Sequence, residues 1–265
     1  MAPTYLDEIL AHHRARAASD TRDWRSRLDT VRYAGPSLYE ALSDTEQGNV
    51  AVIAEVKRRS PSKGWLDHDL DAAKLAALYQ LAGARAISVL TDEQFFAGSA
   101  ADLRAVVASV SVPVLRKDFT VSANDVLDAA EMGASAVLLI VAALDSDELA
   151  SLLELAGVVG LDALVEVHDR AEARRAVEFG ARLIGVNQRN LRTFEVDPDH
   201  AATVIDELPH DIVAVCESGL RSAADIEGAA LAGFDAVLVG ETFVTADDIE
   251  ATVRSFASVA KVSRA

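Results

Sequence analysis

Short runs rich in Val, Ile, Leu and Ala recur along the chain at Val50–Val56, Ala86–Leu90, Val114–Leu115, Ala136–Val141, Ala163–Val167, Leu183–Val186, Ile212–Val215 and Ala236–Val239, eight in all. Their hydrophobicity is nearly continuous instead of alternating, which predicts strands buried on both faces, as in a parallel sheet. Between them lie Ala/Leu/Glu/Asp-rich stretches with helical spacing, including Asp71–Ala82, Ala123–Met132, Asp145–Ala156 and Ala223–Ala232. Strand and helix therefore alternate. The longest apolar run, Ala136–Leu144, falls far short of the roughly 18 residues a membrane span needs. It reads as a buried strand.

A weak internal repeat sharpens the pattern. Gly83-Ala84, Gly133-Ala134, Gly180-Ala181 and Gly233-Phe234 each close an amphipathic stretch and stand just before a strand. Glycine there can take the left-handed conformation that ends a helix. The spacing of about 50 residues is that of two βα units, so four such pairs predict an α/β fold of eight units, a single (β/α)8 TIM barrel. An open doubly wound sheet is the alternative; it is disfavoured because no Gly-rich nucleotide loop follows the first strand and a closed barrel leaves no sheet edge exposed. Residues 1–49 precede the first unit. A helix is expected over Tyr5–Arg16, with Leu6, Ile9 and Leu10 on one side, and a looser segment holds Trp24, Gly35 and Pro36. This part reads as an N-terminal helical extension capping the barrel, too small for its own core. Residues 50–265 form the catalytic barrel and end in a helix expected over Asp247–Val262.

Composition and charge then narrow the function classes. Forty-two acidic against 25 basic residues give a net charge of −17, which repels nucleic-acid phosphates and argues against nucleic acid as a partner. One cysteine, Cys216, excludes an internal disulfide framework, and the start of the chain lacks the features of a secretory signal. The expectation is a cytoplasmic protein without a membrane or nucleic-acid partner, acting on a small molecule; monomer is the default and an oligomer stays open. An anionic substrate would need a locally basic pocket. Lys57, Arg58, Arg59, Lys63, Arg116, Lys117 and Arg189 all fall near strand ends and can supply one.

In a closed βα barrel the active site lies at the carboxyl ends of the strands. The first strand leaves through Glu55-Val56-Lys57, and alternation turns Glu55 and Lys57 to the same side. Two inward charges are costly unless paired or used, so they form either a structural ion pair or part of a site. The third strand leads to Lys117-Asp118-Phe119, the fifth to Glu166-Val167-His168, the sixth to Asn187-Gln188-Arg189 and the seventh to Glu217-Ser218-Gly219. Glu55, Lys57, Lys117, Glu166, Asn187, Arg189 and Glu217 would thus ring one mouth, a set suited to proton transfer on an anion. Ser218-Gly219 and Gly240-Glu241 are turns whose N–H groups can approach a phosphate, although ordinary βα loops would look the same. No histidine pair has metal-binding spacing. His168 shares the side of Glu166, yet a lone histidine is more often a hydrogen-bonded structural residue. Cys216 reads as a small core residue.

These same residues resemble the indole-3-glycerol-phosphate synthases. The chain carries Glu55-x-Lys57-x-x-Ser60-Pro61-Ser62-x-Gly64, then Thr91-Asp92-Glu93-Gln94-Phe95-Phe96, Arg116-Lys117-Asp118-Phe119, Glu166-Val167-His168, Asn187-x-Arg189-Asn190-Leu191, Glu217-Ser218-Gly219 and Val239-Gly240-Glu241. The resemblance spans about residues 50–245 in order, and Tyr5–Leu10 is similar to the family's extra N-terminal helix. It implies ring closure, decarboxylation and dehydration of 1-(2-carboxyphenylamino)-1-deoxyribulose 5-phosphate, a small anionic phosphosugar, with no cofactor and no metal. On that basis Lys117 is the general acid of ring closure and Glu166 the base of dehydration. Lys57 is the second acid or a phosphate contact, with the split between the lysines open. A lysine suits the acid role if burial or nearby cations lower its pKa. Glu55 and Glu217 would orient the lysines, Asn187 would hold a sugar hydroxyl, and Arg189 with Ser60 would meet the ring carboxylate. Pro61, Phe96, Phe119, Leu138, Ile140 and Leu191 would wall the aromatic pocket. Phosphate would fall to Lys57, Ser218, Gly219, Gly240 and Glu241.

The chain departs from the family pattern at Asn190, where many members carry Asp, at Glu241, where some carry Ser, and at Ala142, where some carry Lys. Two rival functions remain at this stage. One is a phosphosugar isomerase or epimerase on a similar barrel, against which the Glu55/Lys57/Ser60-Pro61-Ser62 opening argues; the other is a non-catalytic barrel, against which the intact Lys57, Lys117 and Glu166 argue.

Overall fold

The computed structural model describes residues 4–43, 48–61, 63–189, 196–262 and 264. Eight parallel strands close into a barrel: β1 (Ala51–Val56), β2 (Ala86–Leu90), β3 (Val114–Lys117), β4 (Ala136–Ile140), β5 (Asp162–Val167), β6 (Leu183–Asn187), β7 (Val213–Glu217) and β8 (Ala236–Val239). β8 pairs β1, Ala51 opposite Ala236, to complete the circle. Among the described residues three helices precede β1, namely α1 (Tyr5–Ser19), α2 (Trp24–Leu28) and α3 (Leu38–Ser43). Around the barrel follow α4 (Ala72–Leu81), α5 (Glu93–Phe96), α6 (Ala100–Ser109), α7 (Ala123–Glu131), α8 (Ser146–Val159), α9 (Arg170–Glu178), α10 (Pro198–Ile205), α11 (Ala223–Leu231), α12 (Glu241–Val244) and α13 (Ile249–Ala257). No helix among the described residues is long and apolar enough to cross a membrane.

The glycine repeat has a definite local cause. Gly83, Gly133, Gly180 and Gly233 have φ of 106°, 85°, 83° and 96°. In each case the next residue's N–H reaches back five residues, as Ala84 to Tyr79 O and Phe234 to Ala229 O, both at 3.0 Å. This is the Schellman helix end, which satisfies carbonyls the helix leaves unpaired and turns the chain straight into the next strand. At the other helix ends Asp71, Ser99, Ser122, Asp145, Asp169 and Asp248 accept first-turn N–H groups.

Several boundaries differ from the hydrophobic pattern, with one physical reason. β3, β6 and β7 run on through Lys117, Asn187 and Glu217, because the ladder continues into the mouth where polar side chains line the interior. The two-residue strands Arg59–Ser60 and Gly64–Trp65 pair as a hairpin after β1, too short for any periodicity to reveal. The expected C-terminal helix over Asp247–Val262 is shorter, ending at Ala257. Beyond it the backbone pairs with the chain entering β1: Val50 N–H donates to Val259 O at 2.9 Å and Lys261 N–H to Gly48 O at 2.8 Å. Those bonds replace the ones a longer helix would make.

The N-terminal segment traverses the whole barrel. Tyr5, Leu6 and Ile9 of α1 stand at the mouth. Arg22 and Arg27 descend the flank on Asp128 of α7, at 2.7 and 2.6 Å. At the opposite end Ser37 Oγ and Tyr39 N–H both donate to Asp162, the first residue of β5, and Leu38 and Leu42 are buried in the core.

Candidate active site

The carboxyl ends of the strands enclose a cavity of about 480 Å³. Glu55, Lys57, Lys117, Glu166, Asn187 and Glu217 all line it, as do Ser60, Pro61, Phe96, Phe119, Leu138, Ile140, Arg189, Ser218, Gly219, Gly240 and Glu241. Leu191, with Asn190 and Ser62, lies outside the described residues. The expected ring of basic residues is corrected in part. Arg58 turns outward to Asp102, Arg59 binds the carbonyls of Gln94 and Phe95, and Arg116 is buried against Thr91 and Asp118. Strand alternation explains Arg58 and Arg116, since the side chains next to Lys57 and Lys117 must face away from the interior; Arg59 instead leaves with the short hairpin that follows β1. Among the described residues, the cations that do line the cavity are Lys57, Lys63, Lys117, Arg189 and Arg221. Arg221 carried no sequence signal, and neither did the contribution of Tyr5, Leu6 and Ile9 beyond their shared helix side.

Lys117 stands at the centre. Its ammonium lies 3.2 Å from Glu166 Oε2 and 3.7 Å from Glu217 Oε2. The condition attached to the acid role, a lysine pKa lowered by burial or nearby cations, is not met: burial does push it down, but the charges of Glu166, Glu217 and Glu55 outweigh burial and hold it above the usual lysine range. Glu166 is pulled the other way. Burial would raise it, yet Lys117, His168 and the amide of Asn187 at 3.1 Å keep it well below the ordinary carboxylate range. Glu217 is pushed up to about 8, by burial first and the Glu166 charge second, against Lys117. Two carboxylates beside one ammonium thus divide into an ionised group and one that holds a proton near neutrality, the arrangement by which sites separate acid from base.

Glu55 Oε1 meets Lys57 Nζ at 2.6 Å. The structural ion pair foreseen from alternation is therefore present, and both partners also face the cavity. Two glycines make room for these carboxylates. A Cβ on Gly185 would fall 1.9 Å from Glu217 Oε1, and one on Gly240 would fall 2.5 Å from Glu55 Oε1. Glu217 Oε1 is buried and has no hydrogen-bond partner among the described residues. A polar atom left so is a costly arrangement that a substrate hydroxyl would relieve.

The turns after β7 and β8 come together. Ser218 and Gly219 take φ of 70° and 76° in succession, Ser218 Oγ donates to Asn187 Oδ1 at 2.8 Å, and Thr242 Oγ1 donates to Leu220 O at 2.7 Å across the two turns. With the Ser218 hydroxyl turned to Asn187, the backbone is what these turns offer an anion. The Glu241 carboxylate lies 3.6 Å from Lys63 Nζ.

Folding also gathers His13, Asp92 and Asp118, whose potential ligand atoms lie within 4.8 Å of one another, a set that sequence spacing concealed. Their atoms are largely engaged already. His13 Nε2 meets Asp92 Oδ2 at 2.8 Å, Asp92 Oδ1 caps α5, and Asp118 Oδ2 receives Arg116 at 2.7 Å and Thr91 at 2.6 Å. Arg116 offsets the Asp118 carboxylate and His13 bonds Asp92, so the network reads as a tie between α1 and the barrel. Its outer face is Phe119, tilted on the His13 ring at 5.3 Å and itself part of the cavity wall.

Comparison with known proteins agrees with this geometry. A family model described as indole-3-glycerol phosphate synthase matches residues 6–256. The indole-3-glycerol phosphate synthase of Rhodococcus opacus is 50% identical over 247 residues, covering 92% of this chain and 91% of that one. The protein of that name from Chlorobium phaeovibrioides is 47% identical over 234 residues, covering 88% and 89%. Among solved structures, 3-hexulose-6-phosphate synthase from Salmonella typhimurium superposes with a TM-score of 0.63 at 16% identity, over 78% of this chain and 96% of that one. This last likeness concerns the fold alone.

Proposed function

The chain belongs to the indole-3-glycerol phosphate synthase family, the carboxy-lyases of tryptophan biosynthesis, and from that premise we propose how its barrel mouth performs the reaction on 1-(2-carboxyphenylamino)-1-deoxyribulose 5-phosphate. The observation that carries the reading is Lys117 set 3.2 Å from Glu166 and 3.7 Å from Glu217, with the first carboxyl held well below its ordinary range and the second pushed up. In ring closure the aromatic carbon bearing the carboxylate attacks the ribulose carbonyl, and Lys117 protonates the oxygen. An alkoxide is far more basic than a lysine amine, so even a strongly held ammonium proton moves downhill to it. Carbon dioxide then leaves and the ring regains its aromaticity. In dehydration Glu166 removes the proton from the carbon next to nitrogen while Lys57 protonates the departing hydroxyl.

The remaining groups position the substrate. Arg189 and Ser60 face the ring carboxylate, Asn187 a sugar hydroxyl, and Pro61, Phe96, Phe119, Leu138 and Ile140 the aromatic ring. The backbone of Ser218-Gly219 and Gly240-Glu241 takes the phosphate, with Lys57, Lys63 and Arg221 nearby. Glu55 and Glu217 orient the two lysines. Residues 1–49 serve as an extension capping the barrel of residues 50–265. A net charge of −17 fits a cytoplasmic, monomeric enzyme with neither nucleic acid nor membrane as partner. The direct test is incubation with the carboxyphenylamino substrate. Indole fluorescence should rise, and its absence with well-folded protein would overturn the reading.

A further inference from the structure

The proposed reaction consumes a proton. The ring carboxylate departs as neutral carbon dioxide and the hydroxyl as neutral water, so one proton must enter from solvent per turnover for charge to balance. Ring closure draws it from Lys117. In dehydration Glu166 gains a proton that it can return to Lys117, 3.2 Å away, but the departing hydroxyl has by then taken another from the site. The deficit is one. Bound substrate would fill the mouth and bar direct access to Lys117 and Glu166, whose side chains are 15% and 2% exposed.

Behind Glu166 two further titratable side chains stand in line. His168 Nε2 stands 3.3 Å from Glu166 Oε1, on the oxygen that Lys117 does not hold. Its Nδ1 stands 3.1 Å from Glu172 Oε2, which also accepts the His168 backbone N–H at 2.7 Å. His168 is the first residue after β5 and Glu172 lies in the first turn of α9. Side-chain exposure rises along this line from 2% at Glu166 to 16% at His168 and 20% at Glu172. Neither His168 nor Glu172 lines the cavity, so the line stays reachable when substrate fills it.

We propose that His168, backed by Glu172, is a positioning residue for Glu166 and the inlet through which the proton consumed in each turnover reaches Glu166 and then Lys117. This rests on the reaction proposed above. Among the described residues, the charged groups around the ring come from three elements: Glu166 on β5, Glu172 on α9 and, beyond Glu166, Lys117 on β3. Burial disfavours the imidazolium, but the Glu166 and Glu172 carboxylates beside its two nitrogens outweigh it and push His168 up to about 10. The ring is therefore charged at neutral pH. It gives its inner proton to Glu166, keeps the other on Glu172, turns over, and regains a proton from water on the Glu172 side, as a histidine with two distinct nitrogens can.

The test compares His168→Ala and Glu172→Gln with the parent enzyme in kcat, KM and pH profile. His168→Ala should lower kcat roughly tenfold, short of the about 10²-fold or more expected for a group that protonates substrate itself, with KM little changed. Imidazole added to the buffer should restore kcat, less effectively as pH rises above imidazole's own pKa. Glu172→Gln removes a negative charge beside the ring, so the alkaline fall of kcat should begin at lower pH than in the parent. Unchanged kcat in His168→Ala overturns the inlet, and so does a loss that is equal at every pH and not rescued by imidazole. Should His168→Ala fail to fold, an unmoved alkaline limb in Glu172→Gln decides against it. A parent enzyme that forms no indole overturns the reaction itself, whereas a parent that forms indole while both variants match it overturns the inlet alone.

Discussion

Replacing Lys117 with methionine keeps the bulk of the side chain and removes the charge that Glu166 and Glu217 share at 3.2 and 3.7 Å. Taking one partner from a buried ion pair costs about 3–5 kcal/mol, because the other is left charged in a poor solvent. The carboxylates can escape by binding protons, at about 1.4 kcal/mol per pKa unit. The deficit of Lys117→Met must therefore depend on pH. Without the lysine the folded-state carboxylate pKa values rise above their ordinary 4.5, so stability is retained where the unfolded chain also binds the protons and is lost as pH rises through the folded values. Measured against the parent at each pH, the melting temperature should fall by roughly 6–20 °C at pH about 8, taking about 2–4 °C per kcal/mol for a chain of this size. At pH about 5 most of that difference should vanish. Activity should fall by about 10²- to 10⁴-fold, with carbon dioxide release slowed as much as indole formation in a single turnover. An equal stability loss at both pH values would refute the shared-charge account. Carbon dioxide release at the parent rate would make Lys57 the acid of ring closure.

Glu166→Gln keeps the shape and removes the base; carbon dioxide should still appear in a single turnover while indole formation stalls, and simultaneous loss of both would place Glu166 in the first step. Inorganic phosphate or sulfate should compete with substrate at the turns after β7 and β8. Gly219→Val should raise KM, since Gly219 has φ of 76° and a Cβ there would fall 2.4 Å from Val196 Cγ1; non-competitive inhibition with an unchanged KM would count against the phosphate assignment. Deleting residues 1–19 removes Tyr5, Leu6 and Ile9 from the cavity wall and should weaken substrate binding in a folded barrel, whereas extending the deletion through Ser43 also takes Leu38 and Leu42 from the core and should lower the melting temperature. Full activity in the shorter truncation would refute the role given to α1.

What the sequence by itself determined is what repeats locally. Continuous apolar runs and the four glycines define eight units because strand burial and the Schellman turn are properties of a few consecutive residues, and Glu55 with Lys57 faced one side because a strand alternates. The identities of Lys117, Glu166, Asn187 and Glu217 as mouth residues were legible for the same reason, each being the polar end of its strand. What they do to one another was not. Lys117, Glu166 and Glu217 lie on β3, β5 and β7, and only barrel closure sets two carboxylates around one ammonium, holding the lysine above its usual range, a value the order of residues left open. The His13–Asp92–Asp118 tie, the line from Glu166 through His168 to Glu172, and the reach of residues 4–43 from the mouth to the far end likewise depend on contacts between distant segments. Electrostatic energy depends on distance through space and on burial, and neither is written in the order of residues along the chain.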